Sequence, residues 1–149
     1  MDLSSVETSH NEWYDSYPGK GAVYDLTYAA LSGEDAGERL RAVTALGKSD
    51  DPRAIRPLMD LATDPDPAIR RGAIVALGQL KSGRPVEVLI ARLRDRTEQK
   101  DIRQQAAETL AAIRSTGALR ELREFVADAN EDQDLRSYAS GLLAQHGIV

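Results

Sequence analysis

Four segments of this chain align without gaps on an arginine, a small residue three positions later and a leucine seven positions later. They are Glu38–Gly47 (ERLRAVTALG), Ile69–Gly78 (IRRGAIVALG), Ile102–Ala111 (IRQQAAETLA) and Leu135–Ala144 (LRSYASGLLA). The anchoring arginines Arg39, Arg70, Arg103 and Arg136 stand 31, 33 and 33 residues apart. A fixed period in this range means a stack of supersecondary units, none large enough to bury its own apolar face alone. No other feature of the 149 residues restricts the fold as strongly.

Within each unit the pattern is helical. Ile69, Ala73, Ala76, Leu77 and Leu80 recur at steps of three and four, which puts them on one face of a 3.6-residue helix. Ala42, Ala73, Ala106 and Ala139 are the equivalent small residues, where a larger side chain would overpack a neighbouring helix. Asp66 followed by Pro67 reads as an N-cap with proline at the first helical position. Asp35, Asp66 and Asp132 each precede an anchoring arginine by four residues; the third unit departs, with Gln99 there and Asp101 nearby. A cation near a helix N-terminus opposes the helix dipole, so the recurring arginine needs an acidic partner. These aspartates, of the same or the next unit, are the expected partners in a ladder of charge-assisted hydrogen bonds.

The D-P-x-x-R-x-x-A pattern, closest to complete at Asp66–Gly78, resembles HEAT-like repeats of the phycobilin-lyase type, which are about thirty residues long. The resemblance runs from about Gly21 to the C-terminus. It implies an all-α fold, an α-α superhelical solenoid of about four helical hairpins. The expected units are residues 20–49, 50–82, 83–115 and 116–149, preceded by an acidic and aromatic segment, 1–19. The second helices of such hairpins line the concave side. Members include lyases, a hydroxylase and plain binding scaffolds, so the resemblance predicts the fold more sharply than the function.

Expected first helices span residues 21–31, 52–62, 85–93 and 118–127, with Pro57 kinking the second of them. Expected second helices span 35–48, 67–80, 101–114 and 134–145, with Ser82-Gly83 ending the one that opens at Pro67. Trp13, Tyr14 and Tyr17 fit no repeat and are expected to fold over the first hairpin as a cap.

Charge narrows the partners. The net charge of −5 comes wholly from residues 1–34, while the remaining 18 basic and 18 acidic groups cancel. That balance gives no basic surface for nucleic acid. No apolar run reaches the ~18 residues of a membrane span. The N-terminus has neither the basic nor the apolar part of a signal peptide, and there is no cysteine. A cytoplasmic location is the expectation.

Motifs for chemistry are sparse. Asp128-Ala-Asn-Glu-Asp-Gln-Asp134 resembles the opening of a calcium loop, but Gln133 stands where glycine is needed and Ala139 where the bidentate glutamate belongs. A di-iron hydroxylase built on HEAT-like repeats uses His-Glu pairs, and neither His10 nor His146 is followed by glutamate. Neither histidine sits in a pattern for Ser/His/Asp catalysis, and no glycine-rich phosphate loop is present. The expectation is therefore no catalytic residue, no metal and no cofactor.

What remains is a face. Counting one, two, five and nine residues from each arginine selects the open positions of the second helices. It gives Arg41, Thr44 and Lys48 in the first unit, and Arg71, Val75 and Gln79 in the second. The third contributes Gln104, Gln105 and Glu108, the fourth Ser137, Tyr138 and Gln145. Tyrosine and arginine are enriched where proteins meet. The sequence thus predicts a non-enzymatic interaction scaffold gripping a protein or peptide on this face, and the basic first half favours an acidic partner. The alternative is a bilin-lyase-like enzyme or an enzyme accessory subunit. Self-association through either end of the chain is also open.

Overall fold

The structure is a computed structural model that describes residues 20–147. The aromatic segment expected to cap the first hairpin lies outside the described residues. Eight α-helices follow one another: α1 (Lys20–Ser32), α2 (Ala36–Lys48), α3 (Ile55–Leu61), α4 (Pro67–Leu80), α5 (Val86–Arg94), α6 (Lys100–Ile113), α7 (Thr116–Ala127) and α8 (Gln133–Gln145). Among the described residues there is no strand, and the architecture is the helical solenoid expected.

Odd-numbered helices are the first of each hairpin and even-numbered ones the second. The second helices pack on one another far more closely than the first helices do, so they form the inner, shorter side of the curve. The recurring small residues make that approach feasible. Ala42, Ala73, Ala106 and Ala139 are all buried. Gly47 is tighter still: a Cβ there would lie 2.8 Å from the Ala76 backbone.

The core runs as one column along the stack. Leu46, Leu77 and Leu110 are fully buried, as are Leu58, Leu89, Leu93, Leu122 and Phe125 from the first helices. Asp35, Asp66 and Asp132 cap α2, α4 and α8 through backbone N–H groups of Glu38, Ala68 and Leu135. Capping occupies them, and the arginine ladder uses other acids. Arg39 pairs with Asp64, Arg70 with Glu98 and Arg103 with Glu131. The partner does come from the following hairpin, but it stands five or six residues before that hairpin's arginine rather than four.

The geometry of these pairs is close to ideal. Arg70 places Nε and Nη2 on the two carboxylate oxygens of Glu98, each at 2.8 Å. Arg103 donates from Nε to the Leu93 carbonyl and from Nη2 to Glu131, both at 2.8 Å. Arg39 likewise donates from Nε, to the Ala30 carbonyl at 2.9 Å. Each arginine thus ties the first helix or loop of its own hairpin to the loop of the next.

Two local expectations are corrected. Pro57 does not kink a long helix. Instead Pro52–Ala54 forms a 3₁₀ turn and α3 starts at Ile55, which places Pro57 in the first turn. The missing N–H is tolerated there, and the ring's clash with the carbonyl four residues back is met by the tighter preceding turn. Nor does Ser82-Gly83 end α4. Lys81 does so in the left-handed region, at φ 54°. Asp50, Arg114 and Gly147 take the same conformation at the same distance from their arginines, and only the last is the residue type suited to it.

Arg103 and Glu131 are almost fully buried, at 7% and 3% side-chain exposure. Removing one partner strands the other charge, so Arg103→Met is expected to lower stability by about 3 kcal/mol. The double variant Arg103→Met with Glu131→Leu should recover most of that loss, as measured by urea unfolding.

Acid should dismantle the ladder. Burial pushes Asp64 and Glu98 up. At Asp64 the Arg39 guanidinium and the Asp66 N–H outweigh it, and at Glu98 Arg70, the Gln99 N–H and Arg92 do. Both carboxyls end below their ordinary values of 3.8 and 4.5. The unfolded chain therefore takes up protons at higher pH than the folded one, and unfolding is favoured as pH falls. The stability these pairs contribute should be complete above pH 4.5 and decline below it, read as the urea midpoint against pH.

Candidate binding face

The inner surface is built by α2, α4, α6 and α8, and the sequence-selected residues project along it. Arg41, Thr44, Lys48, Arg71, Val75, Gln79, Glu108, Ser137 and Gln145 are exposed; Gln104, Gln105 and Tyr138 are half-buried. Val75, at 36% exposure, is one of three large apolar side chains open to solvent among the described residues; the others are Tyr28 and Leu31 on α1.

These residues do not form one continuous site. Thr44, Arg71, Val75 and Gln79 are brought together around a groove of about 200 Å³ between α2 and α4. Leu40, Ala68, Gly72 and Ala76 complete its wall. Gly72 lets α2 and α4 meet at the base of the groove: a Cβ there would lie 2.8 Å from Leu40 Cδ1. In the next hairpin Gln105 stands at the equivalent position. The floor residues Ala68 and Ala76 escape a count of exposed positions. The local excess of small residues over Ala68, Gly72 and Ala76 was the signal that could have found them.

The electrostatics correct the picture of a basic first half. Arg71 is not a free cation, because its guanidinium pairs with Asp101 at the start of α6. Lys100 reaches Asp132 and Asp134 in the same sense, one hairpin further on. These bridges form a second, exposed ladder parallel to the buried one. Among the described residues, the cations left without an ion pair at this end of the face are Arg41 and Lys48. At the other end Tyr138 packs beside Glu108; burial and that carboxylate push its phenol above the ordinary value.

Among the described residues, chemistry that needs a metal finds no donor set. Among the described residues no three His, Cys, Asp or Glu side chains are placed to hold an ion. The loop Asp128–Asp134 spends its carboxylates on its own backbone and on Lys100 and Arg94. His146 caps the end of α8. The iron pair implied by the hydroxylase branch of the resemblance therefore does not fit these residues. Among the described residues no helix is long and apolar enough to cross a membrane.

Comparison with known proteins bears on the function. A family model described as HEAT repeats matches residues 24–100. No curated protein sequence matches the chain. Among solved structures, the chain is similar to human deoxyhypusine hydroxylase in complex with glycerol, at 26% identity and a TM-score of 0.74. The similarity covers 84% of this chain and 43% of that one, so the chain spans less than half the length of the enzyme it matches. This corrects the expectation of a non-enzymatic scaffold: the fold at this level of likeness belongs to an enzyme. Neither match is to a bilin lyase.

The Arg71–Asp101 pair is about half exposed on both sides. Exposed pairs contribute little, so Arg71→Ala should change the unfolding free energy by less than about 1 kcal/mol. A chemical denaturation curve checks this and leaves Arg71 available for functional tests.

Proposed function

Starting from the fact that the chain belongs to the HEAT-repeat family, we propose that it is the substrate-holding unit of an enzyme, with a protein segment as the substrate. The observation that carries this reading is the likeness of 84% of the chain to 43% of an enzyme built on the same repeats. A unit of that extent supplies one wall of a site, and the protein it works with supplies the reacting groups. HEAT repeats generally mediate contacts between proteins, which suits both the substrate and the companion.

The groove between α2 and α4 is the place for the substrate. Its apolar lining of Leu40, Val75 and Ala76 takes one apolar side chain of an extended segment. Gln79 and Thr44 stand at its edge, although the Thr44 hydroxyl already donates to the Leu40 carbonyl at 2.9 Å. Arg41 and Lys48 follow the groove residues Leu40 and Thr44 on α2, by one residue and by one turn, and favour an acidic residue beside the apolar one. The expected setting is the cytoplasm.

Cells lacking the chain and cells restored with it can be compared by intact-protein mass spectrometry. At least one modified protein species should disappear on deletion and return with the wild-type chain. Val75→Asp, which places a charge in the groove, should restore it at least about tenfold less well while keeping the wild-type circular dichroism. An unchanged set of protein masses after deletion would overturn the reading.

A further inference from the structure

The buried ladder runs in one direction. The arginine of each hairpin takes a carboxylate from the loop of the hairpin that follows: Asp64 for Arg39, Glu98 for Arg70 and Glu131 for Arg103. Each acid sits in the loop between the two helices of its hairpin. Among the described residues the series leaves one member of each kind over, in the first and the fourth hairpin.

Arg136 is the last arginine. Its Nε donates to the Val126 carbonyl at 2.9 Å, as Arg103 does to Leu93 and Arg39 to Ala30. The guanidinium is thus held in the register of the others, but no carboxylate meets it among the described residues. It borders an open depression of about 370 Å³ shared with Val126, Gln133, Ser137 and Ser140. Between earlier hairpins the corresponding surface is covered. Val43, Ile74 and Ala107 are buried there, whereas their equivalent Ser140 is exposed; likewise Ala111 is buried and its equivalent Ala144 exposed.

Glu34 is the counterpart at the other end. It lies in the loop between α1 and α2, five residues before Arg39, as Glu98 and Glu131 lie five before Arg103 and Arg136. It is exposed and has no ion-pair partner among the described residues, while Asp64, Glu98 and Glu131 are largely enclosed.

We propose that copies of this chain stack head to tail, with Arg136 of one copy taking Glu34 of the next in the same pairing that joins the hairpins within a copy. The contact continues an interface the chain already makes three times, with the same charge complement and with small residues, Ser140 and Ala144, on the receiving surface. Such a contact is heterologous: it uses two different surfaces and does not close on itself as a two-fold dimer does. The assembly is therefore an extendable solenoid whose average mass rises with concentration.

The experiment is sedimentation velocity of the full chain and two variants over a concentration series. Arg136→Glu sets two carboxylates against each other at the contact, and Glu34→Arg sets two guanidinium groups together. Each variant alone should associate at least about tenfold more weakly than wild type. An equimolar mixture of the two restores opposite charges where unlike copies meet and should recover association that neither variant shows alone. Glu34 lies in an exposed loop, so its variant tests the contact even where Arg136→Glu weakens the last hairpin; circular dichroism reads the fold of each. Three outcomes would overturn the proposal: a wild-type chain monomeric up to about 1 mM, a dimer whose mass does not grow with concentration, or variants that associate as wild type does.

Discussion

An arginine in the first turn of a helix is electrostatically misplaced, because the helix N-terminus already carries partial positive charge. This chain places one there four times and turns the misfit into its main joint. A guanidinium offers several donors in a fixed fork. Arg103 spends one on the Leu93 carbonyl of its own hairpin and another on Glu131 of the next. The two bonds fix both the closing of a hairpin and the distance to its neighbour. The apolar column of leucines supplies most of the burial, but leucines tolerate sliding. The ladder sets the register at which they meet.

That register has a consequence on the inner side. Because the second helices are drawn together, the residues between them must be small, and alanine or glycine occupies those points. Beside that contact, Ala68, Gly72 and Ala76 help to wall a groove between α2 and α4. The hydroxylase that shares this fold shows that stacked helical hairpins support catalysis. Among the described residues, Arg39, Arg70, Arg71, Lys100 and Arg103 take carboxylates of the next hairpin, in a buried ladder and an exposed one, and the hollow between α2 and α4 is walled by apolar and uncharged groups apart from Arg71.

The stacking architecture was legible from the arginine spacing alone, since a 33-residue period with helical phasing admits few solutions. The helix bounds followed closely from aspartate caps and apolar runs. The ladder was half legible. An acidic partner from the next hairpin follows from the charge, but sequence distance favoured Asp66 and its equivalents over Asp64, Glu98 and Glu131. Only geometry shows that the former are occupied by capping and that the latter reach across. The face was legible as a set of exposed positions. Its groove was not, because Ala76 is read in sequence as a packing residue and Ala68 lies outside the counted positions. The pairing of Arg71 with Asp101 spans 30 residues and changes the apparent charge of the face.

The turn that follows each second helix behaves differently from everything inside the hairpins. Asp50, Lys81 and Arg114 are held in a left-handed conformation that costs an L-residue roughly 1–2 kcal/mol, while Gly147 adopts it without penalty. The three links between hairpins are therefore strained, and the stack holds them shut. Parting two hairpins would relieve about 1–2 kcal/mol at the link but would break a guanidinium–carboxylate joint, the most enclosed of which is Arg103 with Glu131, and uncover the apolar column between them, a larger loss. A solenoid built this way keeps its bent links only as long as its hairpins stay in contact.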